Sequence, residues 1–176
     1  MKFADIKKLT RCGNYQINMP IKLLPEWIEH HEKEDGLQMN PDFQRGHVWS
    51  EAQQIAYVEF LLRGGNSGKT IYFNYPGWMR DFQGEFVCVD GLQRTTAICR
   101  FINNEIPAFG CLYKDYEDEL HCDPEVFINI NNLQTKAEVL QWYLEMNDMG
   151  TPHTQSEIER VKELLRLEKK NEGIES

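Results

Sequence analysis

A chain of 176 residues that is 41% hydrophobic and 11% aromatic has enough apolar surface for one folded domain and is short for two. Its net charge of −9 is unevenly spread: residues 1–110 hold 12 Lys+Arg against 13 Asp+Glu, and residues 111–176 hold 7 against 15. Sequence-independent DNA binding rests on a positive field, so this balance argues against it and leaves room only for a local basic cleft in the first part.

No stretch approaches the roughly 18 apolar residues of a membrane span. The opening Met1-Lys2-Phe3-Ala4-Asp5-Ile6 lacks an apolar signal core. The five cysteines, Cys12, Cys88, Cys99, Cys111 and Cys122, are odd in number and form no Cys-x-x-Cys pair. Reduced thiols in a cytoplasmic protein are the expectation.

Tyr15-Gln16-Ile17-Asn18 alternates as a short strand, and Pro20 ends it. Leu23-Leu24-Pro25-Glu26-Trp27-Ile28 opens a helix, with Pro in its first turn and Glu26 near the positive end. His30 and His31 follow on that helix among Glu29, Glu32 and Glu34. Adjacent helical positions point in different directions, so both histidines are expected to face solvent, and a metal would need ligands from elsewhere.

Residues 37–49 are polar and aromatic without helical period, the composition of a binding loop. There Gln44-Arg45 sets an amide beside a guanidinium, between Phe43 and Trp49, which are candidate core anchors. Ser50 and Gln53 form a capping-box pair that starts a helix with Ile55, Val58, Leu61 and Leu62 as its buried stripe. Arg63-Gly64-Gly65-Asn66-Ser67-Gly68-Lys69-Thr70 is superficially a P-loop. The glycine that pattern requires at position 63 is Arg63, however, and a helix leads in where a strand is needed. It reads instead as a Gly-rich turn, with Lys69 as a candidate phosphate contact. Residues 70–75 form a strand by their aromatic and β-branched content, closed by Pro76-Gly77, and residues 78–84 make a hairpin-like connection.

The most informative stretch is 86–98. Phe86-Val87-Cys88-Val89 reads as a short buried strand, Asp90-Gly91 as a tight turn, and Ala97, Ile98 and Phe101 recur at helical spacing after Gln93. An acid, an amide and a guanidinium (Asp90, Gln93, Arg94) therefore lie at the mouth of a strand-to-helix turn. Backbone N–H groups at a helix start favour anions, and the Arg94 fork suits phosphate. The alternative is a solvated turn in which Asp90 caps the helix and Arg94 pairs locally. Gln44-Arg45 and Gln93-Arg94 together could clasp a phosphate or nucleobase from opposite sides.

Beyond the central helix, residues 106–113 suggest another short strand. The acidic run Asp115, Glu117, Asp118, Glu119, Asp123 and Glu125 lacks EF-hand spacing and reads as solvated surface. His121-Cys122 with Cys111 matches no standard zinc spacing. Residues 125–131 form a mixed apolar segment. Two further capping boxes, Thr135 with Glu138 and Thr154 with Glu157, open helices on either side of the polar link 147–153. The last helix is amphipathic along Ile158, Val161, Leu164, Leu165 and Leu167, and either packs on the domain or faces a partner. The expectation is a single domain over 1–176, with a core at about 15–150 and a C-terminal helix at 154–172. Its class is α+β, a small mixed sheet with surrounding helices.

Two motifs in order carry a resemblance: Phe43-Gln44-Arg45-Gly46-His47-Val48-Trp49-Ser50 and Val89-Asp90-Gly91-Leu92-Gln93-Arg94-Thr95-Thr96-Ala97. The chain resembles a short bacteriophage member of the ParB/sulfiredoxin-like superfamily, in the branch typified by the N-terminal domain of GmrSD-type restriction systems. That branch has a Gln-Arg loop before a Trp and a strand ending in Asp-Gly-Gln-Gln-Arg. A later Asn with a Gly-Thr link and a helix is similar to residues 147–154, and the likeness spans about 40–160. Leu92 replaces the first Gln of the pentapeptide, and the His-Asn-His nuclease chemistry of longer relatives is not carried over.

The resemblance implies a ParB-like fold that binds an NTP with Mg²⁺ and performs phosphoryl chemistry, either hydrolysis or phosphate transfer. ParB-like relatives bind CTP, and others in the superfamily transfer phosphate from ATP. Asp90, Gln93 and Arg94 would be catalytic, with Asp90 holding Mg²⁺ or orienting the attacking hydroxyl. Gln44, Arg45, His47, Lys69, Gly91 and Thr95 would bind nucleotide, and Asn147, Thr151 and His153 would be accessory. His47 or His153 would assist proton transfer, unless their roles are structural. The implied partners are a nucleotide, with DNA or a host defence protein in phage–host conflict, and no membrane. Two alternatives stand beside this reading. One is a non-catalytic interaction protein that uses the acidic second part; the other is a DNA nickase or DNA-binding module, against which the net charge of −9 argues.

Overall fold

The computed structural model describes residues 1–6, 15–44, 46, 48–120, 124–148 and 155–173. Four strands form one mixed sheet: β1 (Tyr15–Pro20), β2 (Thr70–Asn74), β3 (Val87–Asp90) and β4 (Glu125–Asn131), in spatial order β1-β4-β2-β3. The five helices are α1 (Leu24–Glu34), α2 (Glu51–Leu62), α3 (Leu92–Ile102), α4 (Lys136–Asp148) and α5 (Gln155–Asn171). The protein is thus α+β with a small mixed sheet and a C-terminal helix. No helix among the described residues is long and apolar enough to cross a membrane.

The sheet is built around β4. It pairs antiparallel with β1 (Ile17 opposite Ile128) and parallel with β2 (Ile71 opposite Ile128), while β2 pairs antiparallel with β3 (Tyr72 opposite Asp90). Because side chains alternate along a strand, each strand supplies two layers. Ile71, Phe73, Cys88, Val126, Ile128 and Ile130 bury one face in a cluster with Leu24 and Ile28 of α1, Leu61 of α2 and Ile98 of α3. Val87 and Val89 enter a second cluster with Leu140 and Tyr143 of α4 and Val161 and Leu165 of α5. The sheet lies between three helices and two.

The sequence reading of β1, α1, α2, β2, β3 and α3 matches the structure to within one or two residues. Ser50 caps α2 as the capping-box pattern requires: its hydroxyl accepts from the Gln53 N–H, and the Gln53 side chain returns to the Ser50 N–H at 2.8 Å. At α4, Thr135 Oγ1 accepts from the Glu138 N–H at 3.2 Å, while the Glu138 carboxylate reaches the Gln134 N–H at 3.0 Å. Thr154 lies outside the described residues, and Glu157 falls in the first turn of α5.

Two segments differ from expectation. Residues 106–113 form no strand. Ala108 and Cys111 exchange two backbone hydrogen bonds across a tight turn, with Phe109 and Gly110 at φ +50 and +79, and a 3-10 turn follows at Tyr113–Asp115. That turn reverses the chain before a strand can propagate. Residues 125–131, read only as an apolar segment, are the central strand.

Ile128 is wholly buried where β1, β4 and β2 meet, whereas Leu167 on α5 is 45% exposed. Ile128→Ala should cost about 3 kcal/mol in urea unfolding, and Leu167→Ala less than about 0.5 kcal/mol. Equal losses would contradict the placement of the core.

Candidate functional site

β3 passes to α3 through a single residue, Gly91, at φ +122. A Cβ there would lie 2.8 Å from Cγ2 of Ile71 and 3.2 Å from its Cα, so only glycine lets the turn sit this close to β2. The connection leaves Asp90 at the end of the strand and Arg94 one helical turn later. Arg94 Nη2 donates to Asp90 Oδ2 at 2.5 Å; the guanidinium side chain is 20% exposed and the carboxyl side chain 41%. Gly91 is the N-cap of α3 and supplies no side-chain cap. The start of the helix therefore keeps the partial positive charge of its backbone N–H groups.

The loop before α2 is fastened to this turn by side-chain amides. Gln93 Oε1 accepts from the backbone N–H groups of Val48 and Trp49, both at 3.0 Å, and its Nε2 donates to the Gly46 carbonyl at 3.3 Å. Gln44 Nε2 donates to the Cys88 carbonyl on β3 at 2.5 Å. Arg160 of α5 adds a third fastening through Nη2, which donates to the carbonyls of Gln44 (3.1 Å) and Phe43 (3.3 Å). The chain is thereby pinned at positions 44 and 46 against the turn that carries Asp90 and Arg94.

Lys69 precedes β2 at the same end of the sheet, and its carbonyl accepts from the Phe127 N–H at 3.0 Å. Thr95 is buried, and among the described residues its Oγ1 has no hydrogen-bond partner; the same holds for Nε of Arg94. Asn147 uses its side-chain N–H within α4, on the Tyr143 carbonyl at 2.7 Å, and among the described residues no hydrogen bond links it to the turn. Arg45, His47, Thr151 and His153 lie outside the described residues. The structure thus brings together Asp90, Gly91, Gln93, Arg94, Thr95 and Gln44, with Lys69 at the same sheet end.

The electrostatics of the turn reach two groups that the sequence reading passed over. Burial pushes the Tyr57 phenol up to about 12, with the Arg94 charge pulling the other way, and its hydroxyl donates to the Gly68 carbonyl at 2.8 Å. Burial, then the Asp90 charge, pushes the Cys88 thiol up to about 12. A buried thiol held protonated is a poor nucleophile, which argues against a chemical role for Cys88. Tyr57 was legible only as part of an apolar helix. Arg160 had no sequence signal, because its partners are backbone carbonyls far away in the chain.

The largest cavity among those described, of about 510 Å³, lies at the opposite end of β2 and β3. Asn74, Val87, Gln134 and Lys136 line it, and Lys136 is paired with Asp42 at 2.7 Å.

Comparisons with protein-family models, curated proteins and solved structures found no match to this chain.

The Gln93 clasp yields a direct prediction. Gln93→Ala should cost about 1 kcal/mol of stability and speed amide hydrogen exchange at Val48 and Trp49 selectively. Unchanged exchange at those two amides would show that the carboxamide does not hold the loop.

Proposed function

We propose that this protein is a ParB-like nucleotide-binding domain that carries out NTP-dependent phosphoryl chemistry at the β3–α3 turn. One arrangement carries the reading: the Asp90–Arg94 pair at the uncapped start of α3, with an Arg94 guanidinium nitrogen and the Thr95 hydroxyl buried and, among the described residues, unpartnered. Buried polar atoms are nearly always satisfied, so two orphans beside one ion pair favour a polar ligand at this place. Helix N–H groups and the Arg94 fork suit phosphate oxygens. Arg94 would balance phosphate charge, and Lys69 would add to it from the neighbouring strand. Asp90 keeps a solvent-facing carboxyl side chain that would hold Mg²⁺ or orient an attacking hydroxyl. Its present pairing with Arg94 holds the carboxylate in place until phosphate draws the guanidinium away.

Gln44 and Gln93 enter this reading as positioning residues. Their amides are committed to backbone groups, so they set the loop that carries Arg45 rather than read a base or phosphate directly. The same commitment favours a second reading, a non-catalytic protein that keeps the fold and binds a partner, such as a host defence protein, through the acidic residues 111–176.

Thermal-shift measurements across NTPs and dNTPs, with and without Mg²⁺, separate the two. The enzymatic reading expects Mg²⁺-dependent stabilisation by at least one nucleotide, lost in Asp90→Ala and in Arg94→Ala. No shift with any nucleotide, together with intact partner binding in Asp90→Ala, favours the second.

A further inference from the structure

At the far end of α1, away from the turn just described, a second group of polar side chains converges. The sequence reading set His30 and His31 apart and turned both to solvent. In the structure their rings lie 5.1 Å apart, and one ligand atom from each lies within 4.8 Å of the other and of an Asp35 carboxylate oxygen. His30 is exposed; the side chains of His31 and Asp35 are 12% and 19% exposed.

The convergence has a local cause. α1 ends at Glu34, and Gly36 at φ +67 turns the chain back, so that both the Asp35 and Leu37 N–H groups donate to the His31 carbonyl, at 3.1 and 3.0 Å. Asp35, four residues after His31 and still in the helical region, lies on the same face and brings its carboxylate to His31 Nδ1 at 2.5 Å. The His31 ring is wedged among Trp27 (4.3 Å between centroids), Phe86 (5.5 Å) and Trp78 (6.0 Å), which leaves it little freedom to turn away.

We infer that His30, His31 and Asp35 form a binding site for a divalent transition-metal ion of the Zn²⁺ class, with solvent completing the coordination. Three lines of chemistry select that class. Two imidazoles and one carboxylate make a nitrogen-rich donor set suited to Zn²⁺, Ni²⁺, Co²⁺ or Cu²⁺, whereas Mg²⁺ and Ca²⁺ take oxygen ligands. Ligand bonds of about 2.0–2.1 Å in a tetrahedral site place ligand atoms roughly 3.3 Å apart. The widest separation of 4.8 Å must therefore shrink, and exposed His30 is the side chain free to move inward. His31 is held by packing, and its 2.5 Å contact with Asp35 must open to about 3.3 Å as the ion enters between them.

The surroundings also call for a cation. A carboxylate at the C-terminus of a helix opposes the negative end of the dipole. Asp35 occupies that position with Glu32 and Glu34 close by in sequence, and Lys33, the lysine of this turn, is engaged with Glu29 at 2.5 Å. A dication seated on Asp35 offsets this excess. The inference does not rest on the nucleotide reading, since none of its residues belongs to the β3–α3 turn.

The test uses the full chain without nucleotide. Titration calorimetry with ZnCl₂ should give one site per chain. Ni²⁺ should quench tryptophan fluorescence, because Trp27 and Trp78 pack on His31. His30→Ala, which removes an exposed side chain, should keep the metal-free melting temperature and weaken Zn²⁺ binding about tenfold or more. Asp35→Asn should weaken it similarly. Absence of Zn²⁺ binding by the unaltered protein, or binding by His30→Ala at unaltered affinity, overturns the site.

Discussion

The structure depends on how closely α3 is allowed to approach β2. One residue separates β3 from α3, and it must be glycine. Its φ of +122 is unfavourable for any side chain, and a Cβ would be driven into Ile71. Given that turn, the rest follows from helix geometry. Arg94, in the first turn of α3, reaches back to Asp90 at the end of β3, while Gln93, one position earlier, points to the loop and takes up the N–H groups of Val48 and Trp49. A constraint of backbone sterics thus becomes an arrangement of charge, and a distant loop is drawn onto it.

The two ends of the sheet differ in character for the same reason. At the β3 C-terminal end, an ion pair and unpartnered buried polar atoms gather around a helix start. At the opposite end, buried Asn74 imitates a strand partner: its side chain donates to the Leu133 carbonyl at 3.0 Å and accepts the Leu133 N–H at 2.8 Å. That end also holds the cavity of about 510 Å³. Cavity size and chemical readiness therefore separate, and the functional reading follows the second.

Much of this was legible in the sequence where local rules govern. Ser50 with Gln53 announced α2, the Pro in the first turn announced α1, and Asp90-Gly91 marked the junction of β3 and α3. What escaped was decided by distant contacts. β4 alternates Val126, Ile128 and Ile130 with Asn129 and Asn131, and asparagine is a poor strand former. It becomes the central strand because β1 and β2, both far off in sequence, hydrogen-bond to its two edges. Residues 106–113 had the composition of a strand, but Phe109 and Gly110 at positive φ turn the chain back on itself. The His30–His31–Asp35 cluster escaped because the sequence shows the four-residue spacing of His31 and Asp35 but not that Trp27, Phe86 and Trp78 hold the His31 ring where Asp35 meets it. The roles of Gln44 and Gln93 were legible only as residue types. An amide can read a ligand or stitch a loop, and which it does is fixed by the backbone groups that reach it.

The central claim is that ligand chemistry belongs to the Gly91 turn and not to the larger cavity at the other end of the sheet. Backbone amide NMR of the ¹⁵N-labelled protein during nucleotide–Mg²⁺ titration tests it directly. Shifts concentrated at Gly91, Gln93, Arg94 and Thr95, with Gly46, Val48 and Trp49 moving alongside, are the predicted result. Shifts centred on Asn74, Leu133 and Lys136, or none at all, would contradict it.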